Sequence, residues 1–351
     1  WRNPINMNKK MTKTTFLVAC VLLINIYSVV ATNVGEKETD WEAIFLGLPQ
    51  ASYAYEHLAY YTSLPHVAGT PQDYDTAVYT LEKFQSYGLN NSHIVPTNVL
   101  LSYPKKRVVE MIHPTTFRAA LQEAVIPTDP TTSDPRIIDT FNGYSPSGNV
   151  TGELVYVNYG SMDDFETLTS LGVNVSGKIG IARYGQLFRG TKAMIAQNYG
   201  MTGLLIYSDP ADDGYVQGPV FPEGPWRPAT GVQRGSVQFL SLCPGDPTRS
   251  VCSNNINYNY TMGIPSIPVQ PLSWQDAYPL LVNLGNTPAP SNFQGGLNFT
   301  YHIGPGPTQV HIMLDMDFLQ NHEIWNVIAK IEGVDNQKTV ILGNHRDAWV
   351  F

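Results

Sequence analysis

The carboxyl end of the sequence carries a histidine and an aspartate, His345 and Asp347, whose spacing suits metal chemistry. Residues 339–342 are four apolar or β-branched residues in a row, which predicts a buried strand of an α/β sheet ended by Gly343. Open α/β sheets place ligands and catalytic groups at the carboxyl ends of their strands. One ring nitrogen of His345 can bind a divalent metal while the Asp347 carboxylate holds the other. The residues alone leave open a plainer interpretation, a histidine in the loop after a strand.

The elements ahead of this motif begin with two predicted helices. Residues 50–61 have a helical pattern. Thr70 can cap a second helix whose first turn contains Pro71, and Gly88 supplies a C-terminal stop.

Short strand-like runs follow between turns that are rich in proline and glycine. Residues 154–157, 179–182 and 203–207 predict buried strands, and residues 191–199 predict a helix between the last two. Residues 325–331 alternate between apolar and polar, which predicts a half-buried strand. The sequence therefore indicates an α/β protein.

The composition of the chain limits the classes of protein to which it can belong. The chain has 351 residues, of which 43% are hydrophobic, so it can bury a sizeable core. The formal net charge is -8 and we find no basic stripe, which argues against nucleic acid as a partner. Only 14% of residues are charged, while tyrosine, glycine and proline are plentiful, a profile typical of loop-rich extracellular proteins.

The amino end predicts export. Lys9, Lys10 and Lys13 precede an apolar run over residues 16–31, which ends in small residues and predicts a signal peptide at residues 1–31. The run is short for a membrane span, which needs roughly 20 residues, but an uncleaved signal anchor stays open. We expect the secretory pathway, with an extracellular or a vacuolar or lysosomal destination, or alternatively a membrane-anchored ectodomain.

Cysteines and sequons agree with export. Removal of residues 1–31 removes Cys20 and leaves Cys243 and Cys252, which we expect to pair in an oxidising compartment. Five Asn-x-Ser/Thr sequons predict a glycosylated surface. Their asparagines are Asn90, Asn149, Asn174, Asn259 and Asn298.

Several stretches in order resemble the glutamate carboxypeptidase II and transferrin receptor family. The matching stretches are residues 65–70, 181–190, 231–236, 263–269 and 345–351, and the resemblance extends from about residue 50 to residue 351.

The resemblance implies a fold and a domain order. It implies an α/β zinc-peptidase domain, split by an inserted protease-associated (apical) α+β domain. The first peptidase part is expected at residues 50–101, the apical domain at 102–322 and the second peptidase part at 323–351.

The resemblance also implies a substrate site. Arg189 stands where the family grips the terminal carboxylate of a peptide, and a guanidinium presents a planar fork that suits a carboxylate. Phe188 is expected to form a wall of that pocket. Ser236 stands where glutamate-specific members have an asparagine, so a carboxylate-ended substrate is expected while the preferred side chain stays open. A surface arginine beside an aromatic ring is the alternative.

The implied cofactor is zinc, two ions in the complete enzyme. His345 is expected to be one metal ligand and Asp347 to orient it, with the other ligands and the general base beyond Phe351. The chain is accordingly expected to be the amino-terminal part of a carboxypeptidase and inactive alone. No calcium site is expected, because Cys252 stands where the family has a tyrosine ligand.

Two alternatives share this architecture. One is a non-catalytic ectodomain of the transferrin receptor type, against which His345 argues, and the other is an aminopeptidase, against which Arg189 argues. The expected partners are a peptide with a free C-terminal carboxylate and a second copy of the complete protein as a homodimer. His66 is assigned no role.

Overall fold

The computed structural model describes residues 39–242, 244–248, 262–335 and 337–350. The chain divides into two compact units, Trp1–His57 and Leu58–Phe351. Within its described residues, the first unit contains helix α1, Trp41–Gly47, and the start of helix α2, Ala51–Tyr61. No helix in the described ranges is long and apolar enough to cross a membrane.

The remaining elements belong to the second unit. Its helices are α3 Pro71–Ser86, α4 Met162–Ser170, α5 Arg189–Asn198 and α6 Trp274–Val282. Its strands are β1 His93–His113, β2 Phe117–Arg118, β3 Asn142–Gly143, β4 Gly148–Tyr156, β5 Ile179–Arg183, β6 Gly203–Tyr207, β7 Gly235–Ser236, β8 Val269–Leu272, β9 Thr287–Pro288, β10 His302–Gly304 and β11 Gln309–Ile328.

Helix α3 begins and ends where the sequence predicts. The Thr70 hydroxyl accepts a hydrogen bond from the backbone N–H of Asp73 at 3.4 Å, and Pro71 lies in the first turn, where no intrahelical donor is needed. Gly88 follows the helix with φ of +89°, the left-handed conformation that ends many helices. The predicted helix over residues 50–61 is likewise confirmed as α2.

Among the described strands, seven form one sheet in the order β2–β1–β11–β4–β5–β6–β8. Strands β4, β5, β6 and β8 run parallel, and the other pairings are antiparallel. Every residue of β5 and β6 is buried, as expected for parallel strands covered by helices. The predicted strands at 154–157, 179–182 and 203–207 and the helix at 191–199 are confirmed.

Strands β1 and β11 form a long antiparallel ribbon. Pairing runs from His93 opposite Ile328 to His113 opposite Gln309. The end near His113 joins β4 and the core, and the end near His93 lies against α3. The half-buried strand predicted for residues 325–331 is confirmed as far as Ile328.

A bulge interrupts this ribbon. Val99 lies opposite His322 and Leu101 lies opposite Leu319, so one residue of β1 faces two residues of β11. The domain boundaries predicted between residues 101 and 102 and between 322 and 323 both fall beside this bulge. Both strands continue through it, and the division into peptidase and apical parts stays a prediction.

The strand predicted for residues 339–342 is wrong. These residues form no strand, and Val340, Ile341 and Leu342 are 97%, 88% and 95% exposed. A strand needs a neighbour that accepts its ladder hydrogen bonds, and no described strand pairs with this run. The apolar composition of residues 339–342 makes the run suitable for burial, but it does not supply a partner strand.

Candidate functional site

Arg189 opens helix α5, directly after the loop that follows β5. Its Nε donates a hydrogen bond to the backbone carbonyl of Ser236 at 3.0 Å, and its Nη1 donates to the side-chain oxygen of Gln233 at 3.1 Å. The guanidinium carbon lies 4.9 Å from the ring centroid of Phe188. These contacts fix the plane of the guanidinium, so its outer edge points in a defined direction.

The charge of Arg189 is not balanced by an acid within the described residues. By contrast, Arg183 pairs with Asp212 at 2.6 Å and Arg234 pairs with Glu123 at 2.8 Å. Burial lowers the pKa of Arg189, because the cation has lost water without gaining an anion. A half-buried, oriented and unpaired guanidinium is suited to bind an external carboxylate.

Two short parallel strands, β3 and β7, support this arginine. The side-chain amide of Asn142 donates to the carbonyl of Gly235 at 3.1 Å, and the Tyr184 hydroxyl donates to the carbonyl of Gln233 at 2.7 Å. Gly235 has φ of +137°, and a Cβ there would overlap the Arg189 guanidinium. We call Phe188, Arg189, Gln233, Gly235 and Ser236 the Arg189 platform.

Ser236 contributes to the platform differently from the sequence prediction. Its backbone carbonyl holds Arg189, while its hydroxyl accepts a hydrogen bond from the backbone N–H of Gln238 at 3.0 Å. The hydroxyl proton stays available to a ligand, so a substrate contact by Ser236 stays a prediction. Sequence reasoning missed Gln233, although it lies in the same matching stretch as Ser236.

Lys192 holds the loops beside the platform. It is 0% exposed, and its Nζ donates to the carbonyls of Tyr159 at 2.5 Å and Gly185 at 2.7 Å. Burial lowers the pKa of Lys192 to about 8. Because Gly185 lies in the loop that leads to Phe188 and Arg189, this buried amine ties that loop to the neighbouring β4–α4 connection.

The second group of candidate residues is the His345 segment, residues 344–350. His345 Nδ1 lies 2.8 Å from the backbone carbonyl of Asp347 and 3.6 Å from its carboxylate. A carbonyl only accepts, so Nδ1 carries the proton and Nε2 has the lone pair that a metal needs. The His345 side chain is 75% exposed, which leaves Nε2 accessible.

Arg346 anchors this segment to helix α3 and strand β11. Its Nη1 donates to the Thr76 hydroxyl at 3.0 Å and lies 4.0 Å from the Asp73 carboxylate, and its Nη2 donates to the carbonyl of Trp325. Burial raises the pKa of Asp73, and the charge of Asp347 acts in the same direction. The nearby cation of Arg346 opposes this shift.

Tyr103 lies beside the same group of charges. Its hydroxyl donates to the carbonyl of Ala68. Burial raises its pKa to about 12, and the carboxylates of Asp73 and Asp347 add to the shift. Tyr103 therefore stays protonated at neutral pH and acts as a donor.

Ala348 and Trp349 complete the docking of the His345 segment. The backbone N–H of Ala348 donates to the carbonyl of His66 at 3.2 Å. The His66 ring donates through Nδ1 to the carbonyl of Leu64 at 2.8 Å, which is a structural contact. Trp349 packs edge-on against Phe141, with ring centroids 5.4 Å apart.

Comparisons with known proteins found one family model and several solved structures that are similar to this chain. Residues 150–240, from β4 to beyond β7, match the PA domain family model. The solved structure of BSAP, a zinc aminopeptidase from Bacillus subtilis, is similar with TM-score 0.42 and 15% identity, covering 82% of this chain and 49% of that one.

Curated relatives match over most of the chain. It is 34% identical over 331 residues to Aminopeptidase NAALADL1 of Mus musculus, covering 87% of this chain and 44% of the relative. It is 43% identical over 314 residues to the Probable glutamate carboxypeptidase of Arthroderma benhamiae, covering 85% and 42% respectively. The chain belongs to the glutamate carboxypeptidase II-like family. It spans less than half the length of these relatives.

A metal ligand of the glutamate carboxypeptidase II-like family has to offer a lone pair in an accessible position. Nε2 of His345 meets this requirement, since Nδ1 is engaged by Asp347. In the described parts of the chain, no group of three or more His, Cys, Asp and Glu side chains is arranged to hold a metal ion. The accessible Nε2 of His345 suits one ligand of a set, and its role as a metal ligand stays a prediction.

Some of the features predicted for an exported protein lie outside the described residues, and others lie within them. Cys243, Cys252, Asn259 and the leader at residues 1–31 lie outside the described residues, so they stay predictions. The four described sequon asparagines are exposed, as glycosylation requires. They are Asn90, Asn149, Asn174 and Asn298.

Proposed function

We propose that the full-length protein carrying this chain is a zinc metallopeptidase that releases the C-terminal residue from peptides with a free terminal carboxylate. The observation that carries the proposal is the oriented arginine of the platform, which has no acidic partner in the described chain. A peptide carboxylate supplies the missing anion and matches the guanidinium fork.

The residues of this chain have separate roles in the proposed reaction. Arg189 binds the carboxylate through its outer edge, Gln233 keeps the guanidinium in plane, and Phe188 covers one face and excludes water. His345 offers Nε2 to a metal and is oriented through Nδ1. Zinc, when bound at a site of this kind, supplies an activated water and polarises the scissile carbonyl.

The test is Arg189→Ala in the full-length protein, assayed on a peptide and its C-terminal amide. Loss of the carboxylate contact should lower kcat/KM for the free peptide by about 2 kcal/mol or more, roughly 30-fold. The amide, which lacks the anion, should change little. Arg189→Lys should recover only part of the loss, because an ammonium lacks the fork.

Arg118→Ala is the matched control, since Arg118 is an exposed arginine whose side chain is 65% accessible. It should leave both substrates unchanged. An equal loss on the free peptide and the amide after Arg189→Ala would mean that this arginine has a structural role, and the carboxypeptidase assignment would then be wrong.

An aminopeptidase is the second candidate, because one relative at 34% identity is named an aminopeptidase. The same full-length protein should then cleave a peptide amide as fast as the free peptide and require a free amino terminus. Blocking the amino terminus by acetylation separates the two functions: a carboxypeptidase retains activity on the acetylated peptide, and an aminopeptidase loses it.

A further inference from the structure

Trp349 of the His345 segment lies directly against strand β3. A Cβ built on Gly143 would be 2.6 Å from Cη2 and 3.1 Å from Cζ3 of the Trp349 ring. Gly143 is not in a left-handed conformation, so its lack of a side chain provides room for the ring and not backbone freedom. The tryptophan therefore contacts the backbone of β3.

The same strand supports the Arg189 platform. Gly143 pairs with Ser236 in the parallel β3–β7 ladder, and its carbonyl accepts a hydrogen bond from Val237 N–H at 2.9 Å. The Ser236 carbonyl in turn holds Arg189 Nε at 3.0 Å. Two backbone contacts thus connect the Trp349 ring with the guanidinium.

On its other side, Trp349 is part of the short segment that carries His345. It follows Asp347 by two residues, and the intervening Ala348 is hydrogen-bonded to the His66 carbonyl at 3.2 Å. A rigid indole therefore separates the metal-ligand segment from the strand pair that holds the arginine. A residue in this position determines how close the two can come.

We propose that Trp349 is a positioning residue that sets the separation between the carboxylate-binding edge of Arg189 and His345. The proposal rests on the proposed carboxypeptidase function. An enzyme that grips a terminal carboxylate and cuts one residue away must hold both groups at the span of one α-amino acid. A displacement of about 1 Å from such a geometry can cost roughly 100-fold in rate.

The test compares two substrates of the full-length protein that differ only in this span. One ends in an α-amino acid, and the other ends in the corresponding β-amino acid, whose carboxylate is one methylene farther from the scissile amide. The measured quantity is the ratio of kcat/KM for the α substrate to that for the β substrate. Reduced folding or a smaller active fraction lowers both values equally and leaves this ratio unchanged.

Trp349→Ala should lower the ratio by about 10-fold or more, because the separation is no longer fixed. Gly143→Ala should lower it in the same direction, because the new methyl group displaces the ring. Trp349→Phe keeps an aromatic ring at this position and should retain most of the ratio. Gly152→Ala is the matched control in neighbouring strand β4, where a Cβ meets nothing closer than 3.5 Å, and it should have no effect.

Unchanged ratios in both Trp349→Ala and Gly143→Ala, with Arg189→Ala still selective for the free carboxylate, would overturn this proposal and leave the proposed function standing. If Arg189→Ala shows no such selectivity, the proposed function fails first and the spacing role fails with it. If Trp349→Ala does not fold, Gly143→Ala decides the outcome by the same ratio.

Discussion

The Arg189 platform and the His345 segment are built in different ways. Both hydrogen bonds of Arg189 are to the segment that forms β7, through Gln233 and Ser236. The buried side chains of Tyr184 and Asn142 hold the carbonyls of Gln233 and Gly235 in that segment. The His345 segment follows an exposed run at residues 339–343 and is held by Arg346, Ala348 and Trp349.

The difference shows which contacts fix the side-chain geometry in each region. The platform derives its geometry from the pairing of β3 with β7 and from buried side chains around it, so a change at one residue is passed on to its packed neighbours. The His345 segment derives its geometry from three docking contacts on a loop, so each contact matters separately. Substitutions should therefore act globally in the first region and locally in the second.

Gly235→Ala should produce the largest effect. The new Cβ overlaps the Arg189 guanidinium, and the backbone at φ of +137° is strained for alanine. We expect a loss of about 2–4 kcal/mol in the free energy of unfolding, measured by urea denaturation. Gly172→Ala is the matched control: its φ of +74° imposes strain, but no atom lies within 4 Å, so about 1 kcal/mol is expected. Equal losses in the two variants would show that the platform tolerates displacement of Arg189.

Lys192 should give the platform a distinctive pH dependence. Burial lowers the pKa of its amine to about 8 from 10.5, so the folded state releases this proton earlier than the unfolded chain. Between about pH 8 and 10.5 the unfolded state binds more protons, so the contribution of Lys192 to stability rises with pH in that window. The full rise is at most about 3 kcal/mol.

The measurement is the difference in unfolding free energy between the protein and its Lys192→Met variant across this pH range. Subtracting the variant removes the titration of tyrosines, which acts in both proteins. A difference that stays flat from pH 8 to 10.5 would mean that Lys192 keeps an ordinary pKa despite its burial.

Arg346→Ala should give the smallest and most local effect. It removes hydrogen bonds to Thr76 and to the Trp325 carbonyl, worth about 1–2 kcal/mol together. Hydrogen exchange of amides in residues 344–350 should become faster, while amides of β5 and β6 should keep their protection. Lys338→Ala, at an 84% exposed side chain just before the exposed run, should change neither set of amides. Loss of protection throughout the sheet would show that the two regions are not independent.

The sequence predicts the platform's framework better than its contacts. Continuous apolar runs identify β5 and β6 beside the platform, just as the Thr70 cap and Gly88 identify α3 beside the His345 segment, because these signals are local. Gln233 and Ser236 reach Arg189 across 44 and 47 residues, through two-residue strands that have no periodic pattern. Pairings of this kind depend on tertiary packing, which sequence patterns do not reveal.

For the His345 segment, the sequence predicts the functional residues better than the secondary structure. The residue types of His345 and Asp347 indicate a metal ligand and the group that orients it, and the structure places a ring nitrogen beside Asp347. The strand expected at residues 339–342 is absent, since an apolar run does not specify a neighbour to pair with. The anchoring by Arg346 was missed, because its partners Thr76 and Trp325 lie in distant elements.

The bulged ribbon of β1 and β11 has a consequence for redesign of the chain. Because Val99 lies opposite His322, everything from residue 100 to 321 departs and returns at adjacent positions. The two ends that this stretch connects therefore lie side by side. A short reverse turn that joins residue 99 to residue 322 would close residues 93–99 and 322–328 into a plain hairpin beside α3.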